Sequence, residues 1–252
     1  MIYTYNVNKN LSYSEIDRSG NPGIIGSMQL AQDMTTSYFN IMGTDNLTLR
    51  VKDNALWVIT RSRFRIYKNT IWNAPIRMSS HLVQRTPLRV TVETRITDDC
   101  GQMIIAIRQE FCPLDLTTHR IRKIETISFP SDAETETAVF QEDYEPLKAT
   151  FCDANLILNA HIVSSDIDYS NHVNNVMYVK YIYNCFSSDF WITHQPVGFE
   201  VHHIAEAKED EEIHVYYKKE GDNTLEFLIS NEEKEFCRVK VMFKELDLSR
   251  IE

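Results

Sequence analysis

Ser164-Ser165-Asp166-Ile167-Asp168-Tyr169-Ser170-Asn171-His172-Val173-Asn174-Asn175 leads directly into Val176-Met177-Tyr178-Val179-Lys180-Tyr181-Ile182-Tyr183-Asn184-Cys185-Phe186. The first half is polar and gathers two carboxylates, an imidazole and several amides. In the second half Val173, Val176, Val179, Ile182, Tyr183 and Phe186 recur at steps of three and four, the period of a helix. Ser, Asn and Asp oxygens ahead of such a run cap the free N–H groups of a first turn, so the spacing predicts a helix over 174–186. Tyr181, Tyr183 and Cys185 fill the remaining circumference, which predicts a buried helix. An imidazole and carboxylates at the positive end of a buried helix suit chemistry that develops negative charge.

Downstream of this helix, strand-like runs fall at 198–204, 212–219, 225–230 and 234–246, with Glu220-Gly221-Asp222-Asn223 as a hairpin turn. The same order of elements precedes it. Residues 2–12 alternate as a strand, 14–22 carry turn residues, and Ile24, Ile25, Met28, Leu30, Ala31, Met34, Tyr38 and Phe39 form a helical pattern that ends before Gly43. Strand-like runs follow at 56–67, 74–84, 88–97 and 102–113, with a shorter piece at 118–124. In the first of these, Arg61, Arg63 and Arg65 share the face opposite Val58, Thr60, Ser62, Phe64 and Ile66. Residues 131–147 are acidic and turn-rich, as expected of a linker. Ser14-Glu15-Ile16-Asp17-Arg18-Ser19 also echoes Ser165-Asp166-Ile167-Asp168-Tyr169-Ser170, with Gly20-Asn21-Pro22 standing where Asn171-His172-Val173 stand later. Echo and element order together predict a duplicated α+β unit whose imidazole is present in the second copy only.

The 252 residues, 25 % of them charged and 43 % hydrophobic, form an ordinary globular chain able to bury a core. No apolar run reaches the roughly 18 residues of a membrane span, and the N-terminal residues do not read as a secretory signal. Five scattered cysteines without CxxC spacing predict free thiols in a reducing cytoplasm. The net charge of −10 is uneven: residues 1–130 hold 16 basic against 11 acidic groups, residues 131–252 hold 10 against 25. So acidic a chain is a poor nucleic-acid binder, while its basic first half can attract an acidic partner.

Trp57-Val58-Ile59-Thr60-Arg61 followed by Ile71-Trp72-Asn73, taken with the loop at 164–175, resembles the family of acyl-carrier-protein thioesterases of bacteria and plants, in its Trp-x-x-Thr-Arg strand and the turn after it. Leu116-Thr117-Thr118-His119-Arg120-Ile121-Arg122-Lys123-Ile124 is similar to its Leu-Thr-x-Arg-x-x-x-Lys segment. Asp166 through Asn175 matches its Asp-x-Asp-x-Asn-x-His-Val-Asn-Asn motif, with Ser170 at the position of the motif's Asn. Phe199 through Ala207 resembles the strand that carries a Glu before a small residue, with His203 in place of a frequent Tyr.

The resemblance implies an α+β tandem (double) hotdog, each half a long central helix wrapped by an antiparallel sheet. The expected division is 1–130 for the acyl-chain half, 131–147 for the linker and 148–252 for the catalytic half. The resemblance also implies hydrolysis of fatty acyl–carrier-protein thioesters to free fatty acid, with no metal or organic cofactor. It places Asp168, His172 and Glu206 at catalytic positions and Ser170 in their network, with Asn174 as a candidate to orient water or substrate. Met28, Leu30, Met34 and Trp57 are candidate walls for the acyl chain, each with core packing as its alternative role. Arg61, Arg63, Arg65, Arg120, Arg122 and Lys123 are candidates to dock the carrier protein, the three strand arginines having a solvent face as their alternative. The expected partners are an acyl carrier protein and the fatty acyl thioester, with neither nucleic acid nor membrane, and with a homodimer as an option. An acyl-CoA thioesterase on the same fold and a non-catalytic carrier-binding module are the competing readings.

Chemically, the reaction needs an activated water, a stabilised oxyanion and a slot for the chain. Either Glu206 or His172 can polarise the water, with Asp168 holding the imidazole tautomer and helix N–H groups facing the thioester oxygen. Asp166, Asp168 and Asn171 can equally act only as helix caps. His161, His202 and His203 raise the alternative of a metal, and Cys152, Cys185 and Cys237 that of a thiol nucleophile.

Overall fold

The computed structural model describes residues 1–246. Among the described residues, ten strands and four α-helices make up two compact units, Met1–Tyr13 with Gln29–Asp143, and Ser14–Met28 with 144–246. Residues 14–28 thus pack with the second unit, where the Arg18 guanidinium bonds Ser188 Oγ at 2.7 Å and Asp189 Oδ1 at 2.5 Å.

In the first unit the strands are β1 (Thr4–Asn10), β2 (Ala55–Ile66), β3 (Pro75–Arg85), β4 (Val90–Asp98) and β5 (Met103–Asp115). They lie antiparallel in the order β1-β3-β4-β5-β2. Helix α1 (Gly23–Ile41) delivers Tyr38 and Phe39 onto this sheet, against Trp57, Leu82, Val90, Val92 and Phe111. Phe39 stacks on Trp57 with ring centroids 4.8 Å apart and meets Phe111 edge-on at 4.9 Å. Helix α2 (Asn46–Asp53) escapes the sequence pattern because only Leu49 of its residues is buried. Its start is nevertheless well specified, the Asp45 carboxylate accepting the Leu47 and Thr48 N–H groups.

Two local expectations are corrected here. The pairing of β2 with β5 slips between Ile59 and Arg61, so the inward phase passes from Trp57 and Ile59 to Ser62 and Phe64. The expected strand at 118–124 is a loop with a single bridge, Leu114 to Ile121. Asp115 Oδ1 accepts the Thr117 and Thr118 N–H groups and turns the chain back, and His119 has φ +53°.

Residues 131–143 have no helix or strand, yet they are a strap held down at many points. The Glu136 N–H bonds Leu82 O at 2.8 Å. Arg63 donates to the carbonyls of Glu142 and Asp143, Arg95 to Thr137 O, and Arg108 to Phe140 O and Glu142 O. Glu93 accepts the Val139 and Phe140 N–H groups and pairs with Arg108 at 2.8 Å, both side chains being buried.

The second unit repeats the plan with β6 (Leu156–His161), β7 (Pro196–His203), β8 (Glu212–Lys219), β9 (Thr224–Ser230) and β10 (Glu235–Phe243). Their order, β6-β8-β9-β10-β7, is that of the first unit strand for strand. Each unit is a helix laid on a five-stranded antiparallel sheet, which is the hotdog arrangement, twice in tandem. The second helix is shorter than its periodicity predicts: α3 spans Asn175–Tyr183, nine residues. The chain stops at Asn184 and restarts as α4 (Ser188–Thr193), because Ser187 Oγ accepts the Phe190 N–H as a new cap. Phe186, Phe190 and Trp191 then pack on Phe227 and Phe243, continuing the apolar face that α3 leaves off.

Candidate active site

The polar loop before α3 folds on its own hydrogen bonds. Its first carboxylate, Asp166, is buried and accepts the Val163 N–H at 3.0 Å and the Tyr181 hydroxyl at 2.5 Å, fastening the loop to α3. The Asp168 N–H bonds His172 O at 2.9 Å, and the Asn171 N–H bonds Asp168 O at 3.0 Å. Asn171 sits at φ +66°, a conformation that Asn tolerates better than most side chains. Asn174 caps α3, its Oδ1 accepting the Val176 N–H at 2.9 Å.

The sequence echo is the same turn built twice. In the earlier copy the Asp17 N–H bonds Asn21 O at 2.8 Å, the Gly20 N–H bonds Asp17 O at 2.9 Å, and Gly20 has φ +78°. Asp17 Oδ1 accepts the Ser19 N–H at 2.8 Å, as Asp168 Oδ1 accepts that of Ser170. Asn21 occupies the place of His172, so only the second copy presents an imidazole. Gly26 is required by packing: a Cβ there would lie 2.0 Å from Glu15 O.

Glu206 comes from the irregular segment between β7 and β8, and its Oε2 stands 3.0 Å from His172 Nε2. The pair is part-exposed, so solvent water has access to it. Backbone bonds hold the two segments in register. The Val173 N–H donates to Ala207 O at 3.1 Å, and the Ala207 N–H donates to the Tyr178 hydroxyl at 3.1 Å.

Of the sequence-predicted site residues, the structure therefore pairs His172 with Glu206. The Asp168 carboxylate is engaged by a backbone N–H and makes no hydrogen bond to the His172 ring among the described residues. Ser170 uses its N–H in the same turn, and Asn174 spends its oxygen on the helix cap. In the first turn of α3 the Val176 N–H and the Met177 N–H are taken, while the Asn175 N–H has no acceptor among the described residues. Asp166 reads from the sequence as a helix-cap candidate and Tyr181 as apolar fill, while Tyr178 is given no role; the hydroxyls of the two tyrosines have no periodic signature. Burial raises the pKa of both phenols, so they remain neutral hydrogen-bonding groups.

Most residues behind the metal and thiol alternatives are engaged elsewhere or shielded, and the exposed Cys152 thiol faces Asn155 Oδ1 at 3.3 Å. His161 faces Asp210 at 3.5 Å and His202 faces Glu200 at 2.6 Å, while both ring nitrogens of His203 are shielded without a partner among the described residues. The one acidic and thiol cluster of metal-binding spacing among the described residues is Asp98, Asp99 and Cys100, where Asp98 already accepts from Lys68 and two backbone N–H groups. Burial pushes the Cys185 thiol up to about 12 and raises that of Cys237 too, so neither is poised as a nucleophile.

The remaining candidates divide. Met28, Leu30, Met34 and Trp57 are all buried. Trp57 belongs to the aromatic core, and its Nε1–H donates to Thr44 O at 2.7 Å. Arg63 is buried under the strap, Arg65 pairs with Glu142, and Arg61 is part-buried. Arg122 is tied to Asp53 O and Thr126, whereas Arg120 and Lys123 are exposed.

Comparison with known proteins gives the family of the chain. Residues 3–127 match the family model of the acyl-ACP thioesterase N-terminal domain, and residues 152–245 that of the C-terminal domain. Similar solved structures include an acyl-ACP thioesterase from Bacteroides thetaiotaomicron, with 17 % identity and a TM-score of 0.80 over 96 % of this chain and 98 % of that one. A putative oleoyl thioesterase from Lactobacillus plantarum has 20 % identity and a TM-score of 0.83 over 98 % of both chains. A 12:0-ACP thioesterase from Umbellularia californica has 14 % identity and a TM-score of 0.83 over 97 % of this chain and 98 % of that one. At these identities the structures show the fold. No curated protein matches the chain in sequence. With family models matching both halves in order, the chain belongs to the acyl-ACP thioesterase family and is a hydrolase of fatty acyl–acyl-carrier-protein thioesters.

Proposed function

We propose that Glu206 and His172 act as one unit on the water that cleaves the thioester. The 3.0 Å contact between Oε2 and Nε2 carries this reading. The other Glu206 oxygen has no protein donor among the described residues, and the side chain is open to solvent. Water placed there forms the new C–O bond as its proton passes to the pair. The charge that develops on the carbonyl oxygen falls to the Asn175 N–H and the positive end of α3. The C–S bond then breaks, and the proton held by the pair returns to the departing sulfur. Asp168, Ser170 and Asn174 serve by building the loop that presents His172.

We also place the carrier-protein contact at one end of the first unit. On α2, Leu47 and Val51 are exposed at an i, i+4 spacing beside exposed Arg50 and Lys52. The loop bearing Arg120, Ile121 and Lys123 is bonded to the same end, the Leu116 N–H to Asn54 O and Arg122 to Asp53 O. An apolar pair rimmed by positive charge fits an acidic protein surface.

Turnover of acyl-carrier thioesters by His172→Ala and Glu206→Ala variants tests the catalytic reading. Each is expected to lose about 10²–10⁴ in kcat, the range of general-base assistance. Near-wild-type rates for both would overturn it. Comparing kcat/KM on carrier-bound and CoA-bound acyl groups separates this reading from an acyl-CoA thioesterase.

A further inference from the structure

We propose that Tyr178 is a positioning residue for the Glu206–His172 pair, an inference that rests on the catalytic reading of Glu206. Glu206 lies outside any strand, since β7 ends at His203 and β8 begins at Glu212. A carboxylate on such a segment keeps a fixed distance to His172 only if its backbone is anchored. The peptide groups of Ala207, the next residue, supply that anchor from both sides. The Ala207 carbonyl takes the N–H of Val173, the neighbour of His172, at 3.1 Å. The Ala207 N–H is taken by the Tyr178 hydroxyl, also at 3.1 Å.

The phenol is itself held in place. Tyr178 is 3 % exposed on the rigid α3, and its ring meets His203 edge-on at 5.9 Å. Its hydroxyl is therefore a fixed acceptor aimed at the residue beside the acting carboxylate. The earlier copy of the loop has Ser27 at the place of Tyr178 and Asn21 at that of His172. Ser27 turns back to bond Gly23 O within its own helix. Phenol and imidazole thus occur together in the copy that carries the chemistry and are both missing from the other.

Tyr178→Phe deletes the acceptor while keeping the ring, so the apolar packing survives. It is expected to lower kcat about tenfold, as a misplaced catalytic group does, with KM for the acyl-carrier substrate changed by less than about twofold. A double-mutant cycle with Glu206→Gln distinguishes positioning from general loosening. If Tyr178 acts through Glu206, adding Tyr178→Phe to Glu206→Gln costs less than about twofold further. Losses that multiply, or full kcat in Tyr178→Phe alongside a slow Glu206→Gln, would overturn the inference and leave the catalytic reading standing. Undiminished kcat in Glu206→Gln would overturn both. Should Tyr178→Phe not fold, replacing Ala207 by lactic acid deletes the N–H from the other side of the bond. The same kcat loss and the same cycle are expected, and unchanged kcat would refute the role.

Discussion

The carboxylate of Asp168 accepts the backbone N–H of Ser170 at 2.8 Å, closing a turn that carries His172 to the start of α3. An acceptor oxygen is all this turn needs, and asparagine provides one. Asp168→Asn is therefore expected to keep kcat within about threefold of the parent, whereas Asp168→Ala, which loses about 1 kcal/mol of local capping, falls at least about tenfold. Steady-state rates for the two variants decide the matter. Equal, large losses would show that the charge of Asp168 and not its turn is what hydrolysis needs.

His203 is expected to make the enzyme sensitive to acid. Burial, helped by the neighbouring His202, lowers its pKa from 6.5 to about 4. Between those values the unfolded chain takes a proton that the folded protein refuses, so stability falls as pH drops from about 6.5 to about 4. The full effect is on the order of 3 kcal/mol. His203→Phe removes both the titration and two buried nitrogens that have no partner among the described residues. It is expected to match or exceed the parent in stability at pH 7 and to unfold later at pH 5, as read from urea midpoints. Parallel pH profiles for parent and variant would contradict this account.

The buried Arg108–Glu93 pair is expected to govern the strap. Arg108→Leu would leave Glu93 charged and unpaired in the interior and free the carbonyls of Phe140 and Glu142, at a cost of about 3–5 kcal/mol. Chemical denaturation measures the loss, and limited proteolysis should show new cleavage within 138–143. A variant that unfolds like the parent and resists the protease would mean that the strap is held by its other contacts.

The fold was legible in the sequence where hydrophobic period and burial coincide. Tyr38 and Phe39 on α1 face the core that their spacing predicts. Helix α2 was not, since one buried leucine in eight residues leaves no period to read. The break after Tyr183 was also hidden, because Phe186 and Phe190 continue the apolar pattern across a change of helix. For the proposed site, the motif spacing pointed to His172 and similarity to Glu206, and their side chains lie 3.0 Å apart. What the one-dimensional reading missed is which carboxylate meets the imidazole. Asp168 is near in sequence but is spent on its own backbone, while Glu206 arrives from another strand end. The strand arginines misled for a comparable reason. Period two marks a shared face, but whether that face meets water or a strap from 131–143 depends on packing that the pattern does not contain.

That difference among the arginines yields a test of carrier docking. Arg63 is buried and bonded to two strap carbonyls, so Arg63→Glu is expected to destabilise the protein and lower activity on every substrate alike. Arg120 and Lys123 are exposed, so reversing both to Glu is expected to leave the melting temperature unchanged. The same double variant should lower kcat/KM on acyl-carrier substrate about tenfold at low salt, and the gap to the parent should narrow as ionic strength rises. Turnover of the acyl-CoA analogue, which has no protein surface to dock, should be unaffected. Reversal of Arg50 and Lys52 on α2 should behave in the same way, and Leu47→Ser with Val51→Ser should weaken carrier turnover without a salt dependence. An unchanged salt slope in both charge-reversed variants would remove the carrier from this end of the first unit.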